Sequence, residues 1–224
     1  MNRRGRVERV VVLDLDDTLY LEKTYVASGF EAVGRWARSA IGIHGFETRL
    51  HTVFAEGVRG RVFDAALEQA GLAVNPTLIA RMVSAYRQHA PKIELEPDSL
   101  RLLARRTEGT RFALITDGPL DSQRRKIRAL GLNRHVDLAI CTDRWGRADW
   151  KPSPRAFRMI ESLYALPADR FTYVADNPAK DFSAPIGLGW NTIWIKRIGK
   201  IDRPDPERLA QYTSSVGNLD GLAV

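Results

Sequence analysis

The sequence predicts an α/β protein: a Rossmann-like parallel sheet flanked by helices and interrupted by an inserted α-helical block. Three observations lead there. The first is Val10–Leu19, Val-Val-Val-Leu-Asp-Leu-Asp-Asp-Thr-Leu, where an unbroken apolar run meets three aspartates. Such a run suits a parallel strand buried on both faces. The second is a long following stretch with helical spacing and no convincing strand. The third is an alternation of strand and helix from Arg111 onward, the pattern of βαβ units.

Composition agrees with a globular fold. The 224 residues suit one large domain, or a core carrying a modest insertion. Hydrophobic content of 44% and charged content of 27% are ordinary, and this length buries a sizeable core without staples. Cys141 is the sole cysteine, so no intrachain disulfide is possible. It reads as a small buried hydrophobe, and a single thiol fits a reducing cytosol. Behind the basic stretch Met1–Arg9 the apolar run reaches only Val10–Leu13, too short for a signal peptide. No stretch approaches a membrane span. A cytoplasmic protein with no membrane partner is expected.

The formal charge of +7 favours anionic partners. Arg124, Arg125, Lys126 and Arg128 fall on one predicted helix and read as a solvated face, so nucleic acid is not expected as a partner. Of the 34 basic residues, 27 are arginine and seven are lysine, which makes a lysine at a special position informative.

The elements follow in order. Arg3, Arg4, Arg6 and Arg9 form a basic leader, expected to be mobile. Val10–Asp14 is the first strand. From Tyr20 the pattern turns helical, with Phe30, Val33, Trp36, Ala37, Ala40 and Ile41 at helical spacing until Gly42 and Gly45 break it. Phe46–Ala55 and Val62–Ala70 are further helices, the latter stopped by Gly71. Asn75-Pro76 caps another, striped with Leu78, Ile79, Met82, Val83 and Tyr86. Pro97-Asp98 opens a helix over Ser99–Arg106. Strands are then expected at Arg111–Thr116, Val136–Cys141, Phe171–Ala175 and Asn191–Ile195. Helices are expected at Leu120–Leu130, Pro154–Tyr164, Ala179–Ile186 and Pro204–Tyr212. The core thus covers residues 1–19 and 95–224, and the helical block 20–94.

The strand ends carry the chemistry. The first ends at Asp14 and Asp16, two apart and able to share one face. Two carboxylates that close repel strongly, and a divalent cation removes the cost; hard oxygens suit magnesium. The second strand ends at Thr116-Asp117-Gly118. The loop after the third holds Lys151-Pro152, and the fourth ends at Asp176-Asn177-Pro178, with Asp181 five residues after Asp176. In a parallel sheet these ends share one edge. Carboxylates for magnesium, with a hydroxyl and an ammonium for phosphoryl oxygens, form a coherent set. His44, His51, His89 and His135 have no acidic or cysteine partners at metal-site spacing. Trp145 and Trp150, in the loop Asp143–Lys151, read as packing residues.

This pattern resembles the haloacid dehalogenase (HAD) superfamily of phosphohydrolases, from Asp14 to Asp181. Asp14-Leu15-Asp16-Asp17-Thr18 matches its first motif, Thr116 its second, Lys151-Pro152 its third, and Asp176 with Asp181 its fourth. Pro154, Phe157, Gln123, Lys126 and Leu130-Gly131-Leu132 are also in pattern. Ala175 stands where the family usually has glycine. The helical block is similar to the cap inserted between the first two motifs in one large branch.

The resemblance implies roles. Asp14 is the nucleophile that forms an aspartyl-phosphate. Asp16 is general acid for the leaving alcohol, then general base for water. Thr116 and Lys151 hold the transferring phosphoryl group, helped by backbone N–H groups around Asp117 and Gly118. Magnesium is bound by Asp14, the Asp16 backbone carbonyl and Asp176, while Asp181 either supports from behind, as Asn177 does, or orients Lys151. The implied function is magnesium-dependent hydrolysis of a small phosphorylated metabolite. Asp16 argues against a dehalogenase, because halide leaves unprotonated. A Schiff-base phosphonate hydrolase needs a cap lysine, and none occurs between Lys23 and Lys92. A phosphomutase of the same fold, and a non-catalytic HAD-like binding protein, are the alternatives. Arg49, Arg59 and Arg61 read as surface charges.

Overall fold

A computed structural model describes residues 6–201 and 212–222. The chain divides into two compact units, one formed by Met1–Glu22 with Glu94–Val224, the other by Lys23–Ile93.

The first unit is built on a parallel sheet. Its strands are β1 (Arg9–Leu13), β2 (Thr110–Thr116), β3 (Leu138–Cys141), β4 (Phe171–Ala175), β5 (Asn191–Ile195) and β6 (Ser214–Val216). They lie in the order β3-β2-β1-β4-β5-β6, and every pairing is parallel. Val12 in β1 stands opposite Ala113 on one side and Tyr173 on the other. Central strands of this kind are covered on both faces, which is why Val10–Leu13 is continuously apolar and buried. One face packs on Ala156, Phe157 and Ile160, with Phe171, Phe182 and Trp190 in the same cluster.

The sheet grows outward from β1 in both directions, first to β2 and β3, then to β4 and β5. The reversal lies between β1 and β4, and a crevice at such a switch point is where open α/β sheets bind ligands. Asp14 follows β1 and Asp176 follows β4, so both acids stand at this point.

The inserted unit carries helices α1 (Glu22–Ile41), α2 (Phe46–Ala55), α3 (Val62–Gln69) and α4 (Pro76–Gln88). Phe30, Val33, Ala37, Phe46, Leu50, Val53, Leu67 and Met82 form its buried interior. Asn75 caps α4, its side-chain oxygen accepting from the Thr77 and Leu78 N–H groups at 2.8 and 3.3 Å. Gly29 lets α1 approach α4: a Cβ there would sit 2.3 Å from the Tyr86 ring. Arg59 bonds the Phe54 and Val58 carbonyls and Arg61 pairs with Asp64 and Glu68, in keeping with local surface roles.

The remaining helices belong to the core: α5 (Pro97–Ala104), α6 (Leu120–Ala129), α7 (Arg155–Tyr164), α8 (Pro178–Asp181) and α9 (Ser183–Gly187). Most expected elements are present with ends moved by one or two residues. The α5 helix starts at Pro97 rather than Ser99, because proline is at home in a first helical turn. The single helix expected over Ala179–Ile186 is two short turns, α8 and α9. Pro185 lies inside that range and cannot donate to a continuous helical ladder. The sequence reading missed β6: Ser214 and Ser215 are exposed, and so short an edge strand carries no apolar signature. The leader residues Arg3 and Arg4, and all but the last residue of the helix expected over Pro204–Tyr212, lie outside the described residues. Arg9 is not in a loose leader but opens β1. No helix among the described residues is long and apolar enough to cross a membrane.

Candidate active site

The site is assembled from the carboxyl ends of β1, β2, β3 and β4 and the segments that follow them. Asp14 begins the turn after β1, its N–H donating to the Val174 carbonyl of β4 at 2.9 Å. Asp17 holds a left-handed conformation, φ 57°, which aspartate tolerates better than most residues. Its carboxylate accepts from the Glu22 N–H at 2.8 Å and closes the turn. This geometry directs Asp14 and Asp16 to different partners.

Asp14 is buried. Lys151 Nζ donates to its Oδ1, and Thr18 Oγ1 donates to its Oδ2 at 3.3 Å. Burial pushes its carboxyl up to about 6, against the lowering pull of Lys151, and the nearby Asp181 charge adds to the rise. Lys151 also reaches Asp181 Oδ1 at 2.8 Å and the Tyr173 hydroxyl at 3.0 Å. Burial works against its charge, but Asp14 and Asp181 outweigh it, and the ammonium is held charged well above the ordinary lysine range.

Asp16 has a separate cage. Lys126 Nζ lies 2.7 Å from its Oδ1, Gln123 Nε2 donates to its Oδ2 at 2.8 Å, and the Tyr20 hydroxyl donates to Oδ1. Burial raises this carboxyl, yet the Lys126 charge and the hydrogen bonds from Lys126, Tyr20 and Gln123 win, and its pKa lies below the usual value. Gln123 Nε2 also contacts Thr116 Oγ1 at 2.5 Å and donates to the Asp117 carbonyl at 2.7 Å. One amide thereby ties Asp16 to the end of β2.

The Asp117 carboxylate accepts from Thr142 Oγ1 at 2.7 Å and from the Lys151 N–H at 3.1 Å, so it anchors the Lys151 loop. Gly118 has φ 116°, a backbone that disfavours any side chain. The loop itself is braced internally. Asp143 accepts from Trp150 Nε1 at 3.0 Å and from the Leu120 N–H at 2.9 Å, while Arg155 lies over the Trp145 ring. These contacts agree with packing roles for both tryptophans.

Asp176 and Asp181 complete the edge. Asn177 caps α8 by accepting from the Ala179 N–H at 3.1 Å, and its own N–H donates to Asp181 Oδ2 at 3.1 Å. Carboxylate oxygens of Asp14, Asp176 and Asp181 lie within 4.8 Å of one another. That is a buried, hard-oxygen donor set with an elevated Asp14 carboxyl, and it fits a divalent cation. Asp181 also serves Lys151 and the Asn177 N–H.

Lys126 corrects the reading of its helix. Arg124, Arg125 and Arg128 are exposed or partly exposed, whereas Lys126 is buried with Ser122, Gln123 and Ile127 on the opposite face. Sequence reasoning also missed Tyr20, Tyr173, Lys180 and Lys200. Lys180 Nζ is 3.5 Å from Asp117 Oδ2, and Lys200 Nζ donates to the Asp176 carbonyl at 3.3 Å. Four of the seven lysines thus face carboxylates of this edge.

A cluster of acids and lysines at the switch point of a parallel sheet is the setting of an α/β enzyme site. The chain belongs to the haloacid dehalogenase-like hydrolases, whose family model matches residues 8–189. It is 28% identical to a phosphoserine phosphatase of Thermus thermophilus, over 88% of this chain and 92% of that one. It is 26% identical to a glyceraldehyde 3-phosphate phosphatase of Methanocaldococcus jannaschii, over 91% of each. In structure it is similar to the HAD-hydrolase YfnB of Bacillus subtilis bound to magnesium. The TM-score there is 0.67, with 18% identity and 96% of each chain covered.

Proposed function

We propose that this hydrolase is a magnesium-dependent phosphatase of a small phosphorylated metabolite, working through an aspartyl-phosphate on Asp14. The observation that carries the reading is the pairing of Lys151 with both Asp14 and Asp181 beside Asp176. Asp14, Asp176 and the Asp16 backbone carbonyl are the proposed magnesium ligands, with Asp181 and Asn177 behind them. The cation supplies charge neutralisation at the phosphoryl oxygens and at Asp14.

The chain's own groups do the rest. An Asp14 carboxylate oxygen attacks phosphorus as the bond to the leaving alcohol breaks, and the Asp16 carboxyl gives that oxygen its proton. Water then attacks the phosphoryl group, Asp16 takes the water's proton, and inorganic phosphate leaves with Asp14 restored. Asp16 rests ionised on Lys126, ready as the base. A phosphoryl dianion beside it raises its pKa and equips it as the acid. Thr116 and Lys151 hold the transferring oxygens, with the Asp117 and Gly118 backbone. Five carboxylates (Asp14, Asp16, Asp117, Asp176, Asp181) face four ammonium groups (Lys126, Lys151, Lys180, Lys200), so a divalent cation turns the local balance positive for an incoming dianion.

The inserted unit Lys23–Ile93 is proposed as the cap that selects the substrate, closing as a lid. A panel of phosphorylated metabolites, read by phosphate release with magnesium present, tests the reading. Mass spectrometry of an Asp16→Asn variant should find a phosphoryl group on Asp14. A product that is an isomeric phosphate ester, with no free phosphate, would count against a phosphatase. The relatives named phosphatases, and the charge balance of the edge, support small phosphate esters over other substrates.

A further inference from the structure

Beyond the motif residues, one buried cation is directed at the turn that carries the nucleophile. Arg197 lies just past β5 and is 8% exposed. Its Nε and Nη2 both donate to the Thr18 carbonyl, at 2.9 and 2.7 Å. Nη1 spans the two Asp98 oxygens at 2.8 and 2.7 Å, and Nη2 also reaches Ser99 Oγ at 2.8 Å. Asp98 Oδ2 in turn accepts from the Leu219 N–H at 2.7 Å. Four segments far apart in sequence meet at this ion pair: the β1 turn, the first turn of α5, the end of β5 and residue 219.

Thr18 connects this node to the chemistry. The same residue whose carbonyl Arg197 clamps sends its hydroxyl to Asp14 Oδ2. The other Asp14 oxygen belongs to Lys151. The nucleophile is therefore oriented from two sides, and one of those sides ends on Arg197. A buried ion pair contributes little net stability compared with apolar residues of the same volume. A charge-assisted fork on one carbonyl does fix the position of a peptide plane closely. A planar guanidinium delivers two donors to Thr18 while keeping Asp98; an ammonium cannot.

We infer that Arg197 is a positioning residue for the nucleophile, acting through Thr18. The inference rests on the reading of Asp14 as nucleophile. Loss of the fork lets the Thr18 peptide tilt, and Asp14 spends less time aligned for attack. Small misplacements of a reacting group are costly in rate while leaving substrate affinity nearly intact.

The test is a set of variants, Arg197→Lys, Thr18→Val, the double variant, and Asp14→Asn, assayed on an aryl phosphate with magnesium well below each melting temperature. Arg197→Lys keeps the charge and removes the planar fork. Arg197→Lys should lower kcat about tenfold with KM changed less than about twofold. In the Thr18→Val background the same change should cost less than about twofold, because the route to Asp14 is already cut. A purely structural anchor predicts multiplicative losses in kcat, and that result overturns the inference. So does an Arg197→Lys enzyme with undiminished kcat beside an inactive Asp14→Asn. If Asp14→Asn itself keeps its turnover, the nucleophile reading fails and takes this inference with it.

Discussion

Lys126 Nζ lies 2.7 Å from Asp16 Oδ1, and both side chains are largely withdrawn from water. The pair is the reason that Asp16 rests as a carboxylate although burial opposes the charge. Replacing Lys126 by methionine keeps the volume and removes the ammonium. The Asp16 pKa should then rise, since burial is left unopposed by the largest favourable interaction. The base step needs the ionised form, so the acid limb of dephosphorylation, the step in which Asp14 is masked by its phosphoryl group, should move upward. A Lys126→Met enzyme with an unshifted acid limb would show that Asp16 is not the group that titrates in turnover.

Much of this site is legible in the sequence because strand ends in a parallel sheet share an edge. Val10–Leu13 declares a buried strand, and Asp14, Thr116, Lys151 and Asp176 each follow such an element. The remainder is hidden for physical reasons. Gln123 and Lys126 are in the family pattern, but their roles are not, because they stand one turn apart on an arginine-rich helix, where the polar face of an amphipathic helix and a polar catalytic edge look alike. The pattern does contain a signal, since Ser122, Gln123, Lys126 and Ile127 recur at helical spacing and are all buried. Tyr173 is camouflaged as an ordinary β-former in β4, and only three dimensions bring its hydroxyl to Lys151. Arg197 lies beyond any motif, among 27 arginines.

Asp14→Asn should abolish turnover. The amide is a poor nucleophile and a weaker cation ligand, and it breaks the charge pairing with Lys151. Phosphate release from a generic aryl phosphate is the measurement. Near-wild-type turnover would mean that another group attacks phosphorus.

Exhaustive chelation should silence the enzyme, and magnesium should restore it where calcium does not. Calcium takes more oxygen ligands in looser geometry and would displace the attacking carboxylate. Activity that survives chelation would sink the magnesium reading. A calcium-loaded enzyme as fast as the magnesium form would remove the geometric argument alone.

The Asp98–Arg197 pair should give stability a distinct pH dependence. Burial pushes the Asp98 carboxyl up, but the Arg197 hydrogen bonds, the Leu219 N–H and the guanidinium charge outweigh it, and the folded pKa is lowered. The contribution is therefore complete above the unfolded value of about 3.9 and is lost as pH falls through the lower folded value. Asp98→Asn should cost about 3 kcal/mol near neutral pH, since it leaves a buried guanidinium short of its counter-charge. The gap between wild type and variant should narrow below about pH 4. Denaturant melts at pH 3 and pH 7 measure both, and an equal gap at the two would contradict the linkage.

Lys151 offers the sharpest comparison. Its ammonium contacts Asp14 Oδ1, Asp181 Oδ1 and the Tyr173 hydroxyl, three acceptors around one point in a fully enclosed position. A compact ammonium with three donors matches that arrangement. A guanidinium carries the same charge in a broad plane, which does not match three acceptors around one point. Lys151→Arg should therefore behave nearly as badly as Lys151→Ala. Each should lose on the order of a hundredfold in kcat, about 2.7 kcal/mol of transition-state stabilisation. Folding should survive in Lys151→Ala, and its melting temperature reports that directly. Steady-state kinetics of the two variants, each beside a thermal melt, decide the matter. An arginine variant that keeps most of its activity would reduce Lys151 to a general positive charge, with no demand on its shape.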